Sequence, residues 1–357
     1  MQSNITISLS IYRGNIRQAA TLLLLAALLM SLSLSAGATE RDWARFKHDF
    51  IESSGRVVDP AQDNISHSEG QGFAMLLAVH YGDQASFEQV WQWTRQHLQI
   101  RDDHLLAWRW APQSGITDKN NASDGDLLVA WSLLRAFEKW HSAEYFDASQ
   151  KISRDIRTKL LRKTPHGIIL LPGIEGFDKA EGITINLSYW VFPALAELGR
   201  ADPAPEWDAL ANTGISILQY ARFGRWGLPP DWLLLNDKVA PSGEPARFGY
   251  NALRTPLYLL WSRRESKSLL QPYQDFWKYF DGARFLPAWT NLHDDSVDSH
   301  DASAGIHRVA QWTLHFGSHK ASHKLVLHGS GVGTQEGYYS SVLLLLTEMA
   351  MQERAAR

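Results

Sequence analysis

Apolar residues return at helical spacing along nearly the whole chain, and that periodicity restricts the fold more than any other feature. Trp43, Phe46 and Phe50; Phe73, Leu76, Leu77 and Tyr81; Leu127, Trp131, Leu134 and Phe137; and Val342, Leu343, Leu346 and Met349 fall at three- and four-residue offsets, which lay side chains along one face of an α-helix. Alternating runs that would mark strands are scarce, and Ile168 to Leu171 and Lys324 to Leu327 are short candidates. The pattern predicts helices near 41–54, 68–82, 85–98, 124–140, 144–162, 186–199, 205–222, 247–263, 269–280, 302–315 and 335–353. Loops rich in Gly, Pro, Asp, Asn and Trp, such as Trp226 to Pro245, separate many of them. No fixed-period repeat supports a solenoid. Antiparallel helices joined by alternately short and long loops therefore predict an all-α toroidal barrel with a cleft on one face.

The first 38 residues hold only two charged side chains, Arg13 and Arg17, followed by an apolar run from Ala19 to Leu34 and the triplet Ala36-Gly37-Ala38. That order predicts a secretory signal peptide cleaved after Ala38; the rival is an uncleaved anchor, since a spanning helix needs only about 20 residues. No Pro/Ser linker divides residues 39–357, which are expected to form one domain working in the periplasm or outside the cell, with no stable membrane span after cleavage. Cysteine is absent, so core burial must hold the exported chain together. A chain of about 300 residues buries roughly 75% of its unfolded surface, which makes that feasible. The formal net charge of −3 offers no basic stripe for nucleic acid. The chain has 15 Trp, flat rigid rings of the kind that stack on sugar faces, although core filling accounts for at least half of them.

Two polar stretches open apolar helices. In Ser66-His67-Ser68-Glu69-Gly70-Gln71-Gly72-Phe73, Ser66 or Ser68 is the expected cap, which sets Glu69 in a first turn. The bland alternative is an ordinary first-turn acid favoured by the helix dipole; a general acid would instead need burial and a neighbouring carboxylate to outweigh that dipole. In Asn120-Asn121-Ala122-Ser123-Asp124-Gly125-Asp126-Leu127, Ser123 is the expected cap, and Asp124 and Asp126 point in different directions, one to a cleft and one to the scaffold. A calcium loop is the alternative, but no twelve-residue loop ending in Glu follows. His293, His300, His307, His315, His319, His323 and His328 match no ligand spacing and no H-E-x-x-H occurs, so neither a metal nor another cofactor is expected.

Taken together, the chain resembles glycoside hydrolase family 8. The resemblance rests on Ser68-Glu69-Gly70-Gln71-Gly72, on Ala122-Ser123-Asp124-Gly125-Asp126, and on Gly55 to Pro60, Leu106 to Trp110, Asn186 to Tyr189, Pro230-Asp231-Trp232 and Tyr250 to Arg254, in the family's order from about residue 42 to 345. It implies an (α/α)6 barrel and inverting hydrolysis of β-1,4-glucan. Glu69 matches the proton donor and Asp124 the signature aspartate, read here as the group that binds and distorts the sugar or positions the water. Some bacterial members accompany cellulose synthesis, so association with that machinery is a further expectation. Many members have aspartate as general base where Asn251 stands, and an amide cannot take that proton. The substitutes, in order, are Asp124, Asp118, Asp231 and Glu244.

Trp108, Trp110, Tyr189, Trp232 and Tyr250 lie beside the motif positions as candidate platforms for a glucan chain, with core packing as the rival for each. Asp231 and Asn251 are further candidates for substrate contact. Arg254, four residues after Tyr250, could pair with a cleft carboxylate. Cellulose is the leading substrate, with xylan, chitosan or mixed-linkage glucan as alternatives. A glucan-binding protein of a polysaccharide export system, disabled at Asn251, and a polysaccharide lyase are the readings from other classes.

Overall fold

The computed structural model describes residues 40–281, 283, 285–317, 332, 333 and 335–356. The expected leader and the candidate strand at Lys324 to Leu327 lie outside them, as do His319, His323 and His328. Eleven helices occur among the described residues: α1 (40–50), α2 (Ser68–Tyr81), α3 (Gln84–His97), α4 (Ser123–Trp140), α5 (Ala143–Asp155), α6 (Phe192–Ala201), α7 (Pro205–Tyr220), α8 (Arg254–Ser262), α9 (Lys267–Phe280), α10 (Ala304–His315) and α11 (Tyr338–Ala356). No helix there is long and apolar enough to cross a membrane.

Helix burial explains the arrangement. In α2 every residue from Gly70 to Val79 is buried, and α8 is buried from Arg254 to Trp261, so these helices need protein on all sides. Packing runs from α2 to α4, α6, α8 and α11 and back to α2, closing an inner ring. Helices α3, α5 and α7 pack outside α2, α4 and α6 respectively; α10 packs against both α8 and α11 within the inner layer, and α9 lies outside it against α10 and α7. This is the (α/α)6 barrel that the periodicity and the resemblance predict. Its core includes the fully buried Trp131, Trp190, Trp207 and Trp277, so a share of the tryptophans does fill space, as expected.

Where boundaries differ from expectation, a competing local interaction is visible. The predicted helix over 144–162 stops at Asp155; a π-turn, Ile156–Leu160, follows, and then Leu161–Thr164 pairs with Gly167–Leu170 as a hairpin. The segment over 186–199 begins as a short 3-10 turn, Leu187–Tyr189, capped by Asn186, and becomes helical only at Phe192, with Pro193 in the first turn. Residues 247 and 248 form a strand paired with Thr290–Asn291, which delays α8 to Arg254. Four short strands, Asp178–Lys179, Gly182–Ile185, Leu233–Leu235 and Val239–Pro241, make one antiparallel sheet in the loops. The other strands are pairs of two to four residues.

Candidate active site

Close approach of two inner helices assembles the centre of the site. A Cβ on Gly125 would lie 2.1 Å from Ser68 Oγ, and one on Gly72 would lie 2.6 Å from Leu128 Cβ. Only glycine lets the N-terminal turns of α2 and α4 meet there, which explains both glycines of the two polar stretches. Their first turns carry Glu69 and Asp124. The caps are not the expected ones. His67 caps α2, its Nδ1 accepting the Gly70 N–H at 3.0 Å, while Ser68 already belongs to the helix. Ala122 precedes α4 and no side chain caps it, because Ser123 is the first helical residue.

Arg254 joins the two carboxylates. Its Nη1 donates to Glu69 Oε1, and its Nη2 donates to Ser188 Oγ at 3.1 Å and Asn251 Oδ1 at 3.0 Å and lies 3.7 Å from Asp124 Oδ2. The guanidinium is buried, whereas the Glu69 side chain is 20% exposed and faces open space. Burial pushes Asp124 well up from the usual carboxylate range, partly offset by the Gly125 N–H and the nearby His67. Burial likewise lifts Asp126 to about 7 against the bonds it accepts from Asn121 and the Leu106 N–H. Those two bonds, at 2.7 and 2.8 Å, tie the 106 and 121 loops to α4, so Asp126 serves the scaffold, while Asp124 lies beside Arg254.

Two of the alternative bases, Asp231 and Asp118, are already hydrogen-bonded. Asp231 Oδ1 accepts the N–H groups of Gly249, Asn251 and Ala252. Burial raises Asp231 to about 6 despite those three donors. Asp118 is held below its usual range by the Asn120 N–H and by Trp108, whose Nε1 donates to it at 2.9 Å. Glu244 is exposed.

Aromatic rings flank this centre unequally. Trp232 stacks on Phe177 with centroids 5.8 Å apart and meets Tyr189 edge-on at 5.9 Å. Burial and the charge of Asp124 raise Tyr189 strongly, so its hydroxyl stays protonated. Tyr250 is 52% exposed and meets Tyr339 edge-on at 6.1 Å. Trp110 is different: Trp93 and His97 meet it edge-on and the Arg56 guanidinium lies 5.1 Å from its centroid, so packing takes up the ring. A cavity of about 490 Å³ adjoins Glu69, Asn251 and Arg254, and Asp59, His67, Tyr338 and Tyr339 also line it. Sequence reasoning missed Asp59, His67, Phe177, Ser188, Tyr338 and Tyr339. The Asp59, His67 and Ser188 positions lay inside quoted motifs, but nothing in their spacing set them apart.

The sequence model of the glycosyl hydrolases family 8 matches residues 16–353. The chain belongs to that family. A probable endoglucanase of Novacetimonas hansenii is 36% identical to this family 8 hydrolase over 90% of its chain and 93% of the relative. An endoglucanase of Cellulomonas uda is 35% identical over 76% and 77%. Among solved structures, an endo-β-1,4-glucanase of Acetobacter xylinum superposes with a TM-score of 0.80 at 36% identity, covering 89% of this chain and 99% of that one. A family 8 endoglucanase of Klebsiella pneumoniae gives 0.81 at 34%, covering 88% and 99%.

Proposed function

We propose that this glycoside hydrolase cuts β-1,4-linked glucan internally and with inversion, with Glu69 as general acid and Asp124 at the cleavage point. The observation that carries the reading is the sharing of one buried guanidinium by two first-turn carboxylates, Glu69 and Asp124, in a cleft flanked by Trp232, Tyr189 and Tyr250. The named activities of the relatives agree with it, and neither they nor the site support the binding-protein or lyase alternatives.

In the proposed reaction Glu69 gives its proton to the glycosidic oxygen as the bond to the anomeric carbon breaks. Water attacks that carbon from the opposite face, and a carboxylate takes the water's proton; inversion needs a gap of about 6.5 to 9.5 Å for that water. Asn251 cannot be the base. Asp118 is held by the Asn120 N–H and Trp108, and Asp231 by three backbone donors of the 249–252 turn, whereas Asp124 accepts the Gly125 N–H and its Oδ2 lies beside Arg254, on Glu69's side of the cleft. Burial lifts its proton affinity, as suits a base working near neutral pH. Asp124 is therefore the base in this reading, and Asn251, held by Arg254, orients the water or a sugar hydroxyl.

Reducing-sugar release and viscosity loss from carboxymethyl cellulose, with Glu69→Gln and Asp124→Asn beside the parent, test the assignment. Turnover that disappears in both variants while glucan binding survives supports it; full activity in Glu69→Gln overturns it. Export belongs to the same proposal, and an N-terminus at Thr39 in periplasmic or culture fractions is the expected result, with an intact leader the contrary one.

A further inference from the structure

Both hydrogens on Nη2 of Arg254 have takers, and neither taker is the neighbouring carboxylate of Asp124. A guanidinium Nη carries two hydrogens and accepts nothing. Ser188 Oγ, at 3.1 Å, and Asn251 Oδ1, at 3.0 Å, receive those of Nη2. Asp124 Oδ2 lies 3.7 Å from the same nitrogen, within reach of its charge but beyond a hydrogen bond. Arg254, Ser188 and Asp124 are all buried, so bulk water is not at hand to stand in for a lost acceptor.

Ser188 is a fixed acceptor because of where its own proton goes. Asn186 caps the turn Leu187–Tyr189, its Oδ1 accepting the Ser188 N–H at 3.0 Å. A backbone N–H can only donate, so the amide oxygen of Asn186, and not its nitrogen, faces Ser188. The Ser188 hydroxyl then donates to that same oxygen, at 2.7 Å, which leaves its lone pairs for Arg254. The arrangement leaves Asn186 Nδ2 without a partner among the described residues, although the side chain is fully buried. Buried polar groups are seldom left so. Turning the amide over would bring Nδ2 to the hydroxyl but set it against the Ser188 N–H.

We infer that Ser188, with Asn186 behind it, is a positioning residue: it holds one Nη2 hydrogen of Arg254 and so keeps the guanidinium from hydrogen-bonding Asp124. Asn251 holds the other hydrogen. A guanidinium that donated to Asp124 would favour the ionised carboxylate and weaken it as a base. Kept at 3.7 Å, it leaves Asp124 the proton affinity that burial confers. The charged and titratable groups facing Asp124 are His67 before α2 and Glu69 across Arg254, Asp126 on α4, Tyr189 from the 3-10 turn, and Arg254 and Tyr258 from α8. Arg254 alone among them is a permanent cation, so the direction of its hydrogens bears directly on the carboxyl. The inference rests on the reading of Asp124 as the base.

The test uses Ser188→Ala and Asn251→Leu in the full chain. Each removes one acceptor of Nη2 with little change in side-chain size, and the cap survives in Ser188→Ala because the backbone N–H at 188 still meets Asn186. In both, the freed hydrogen turns to Asp124. Carbon-13 titration of aspartate-labelled protein, with the Asp124 signal assigned from its absence in Asp124→Asn, should show that carboxyl titrating lower than in the parent by at least about half a unit. The acidic limb of the kcat/KM profile of Ser188→Ala should move to lower pH with it, while activity at the optimum falls, as a weaker base requires. If Ser188→Ala does not fold, the titration in Asn251→Leu, at a half-buried position, decides the matter. An Asp124 carboxyl that titrates as in the parent in the folded variants overturns the inference. Failure of the base assignment is distinct, because it appears as activity retained in Asp124→Asn.

Discussion

Asp231 accepts the backbone N–H of Asn251 at 3.1 Å, and the same oxygen takes those of Gly249 at 3.1 Å and Ala252 at 2.8 Å. One carboxylate oxygen thus shapes the turn that hands Asn251 to Arg254. Gly249 is part of the arrangement, since a Cβ there would lie 2.9 Å from Asp231 Oδ2. In Asp231→Ala three donors lose their acceptor in a largely enclosed place, which is expected to cost about 2–4 kcal/mol of folding stability. Urea unfolding reads that loss, and kcat/KM should fall with it because the turn no longer holds Asn251. Unchanged stability would show that the turn is fixed by other means.

Arg254→Lys tests how much depends on the fork of the guanidinium. Arg254 reaches Glu69 with one nitrogen and Ser188 and Asn251 with the other, and an ammonium on a flexible stem cannot hold both directions. The variant should keep the barrel and lose at least about tenfold in kcat/KM, or about 1.4 kcal/mol of transition-state stabilisation. Arg254→Met leaves Glu69 and Asp124 without their shared cation and should lose more. Equal activity in Arg254→Lys and the parent would reduce the arginine to packing.

The barrel was legible because helices such as α2 and α4 write their burial into the spacing of Phe73, Leu76 and Leu77 or Leu127, Trp131 and Leu134. The two catalytic candidates were legible as polar, glycine-containing helix starts, but the reason for the glycines was not: Gly72 and Gly125 are fixed by contacts with Leu128 and Ser68, more than 50 residues away in sequence. Caps were misread because Ser is the better cap locally, and the preference for His67 arises from Asp59 and strand pairing, which periodicity does not encode. Boundaries at 155 and 254 shifted because strand pairing or the Asp231 carboxylate claims the backbone N–H groups there, and the one at 192 because Asn186 caps a 3-10 turn and Pro193 opens the helix. Trp108 and Trp110 are two residues apart and look alike in sequence, yet only the fold separates their surroundings.

Buried carboxylates set the pH dependence of stability. Burial raises Asp124 and lifts Asp126 and Asp231, the latter two to about 7 and about 6 from an ordinary 3.8. A carboxyl that holds its proton more tightly when folded adds stability at low pH, and that contribution is lost as pH rises from about 4 towards 7. Asp59, Asp83 and Asp103 are held below their usual range, so their contribution is lost only on acidification below about 4. The urea midpoint should therefore fall between pH 5 and pH 8, and fall less steeply in Asp231→Asn. A midpoint that rises over that range would contradict the assignment of these three groups.

Trp108 and Trp110 should separate binding from folding. Trp108 is partly exposed and oriented by Asp118, the bond from Nε1 measuring 2.9 Å, so Trp108→Ala is expected to raise KM for soluble cello-oligosaccharides by about three- to tenfold with little change in melting temperature, the scale of one lost aromatic contact. Asp118→Asn keeps an acceptor for the indole and should raise KM less. Trp110 sits between Trp93, His97 and Arg56 and lies on the strand paired with Ser66 and His67. Trp110→Ala opens a gap there, which should cost about 2–4 kcal/mol in urea unfolding and reduce kcat as well, because His67 loses part of its support beside Glu69. If instead Trp110→Ala raised KM at unchanged stability, its ring would belong to the substrate path and not to the wall behind it.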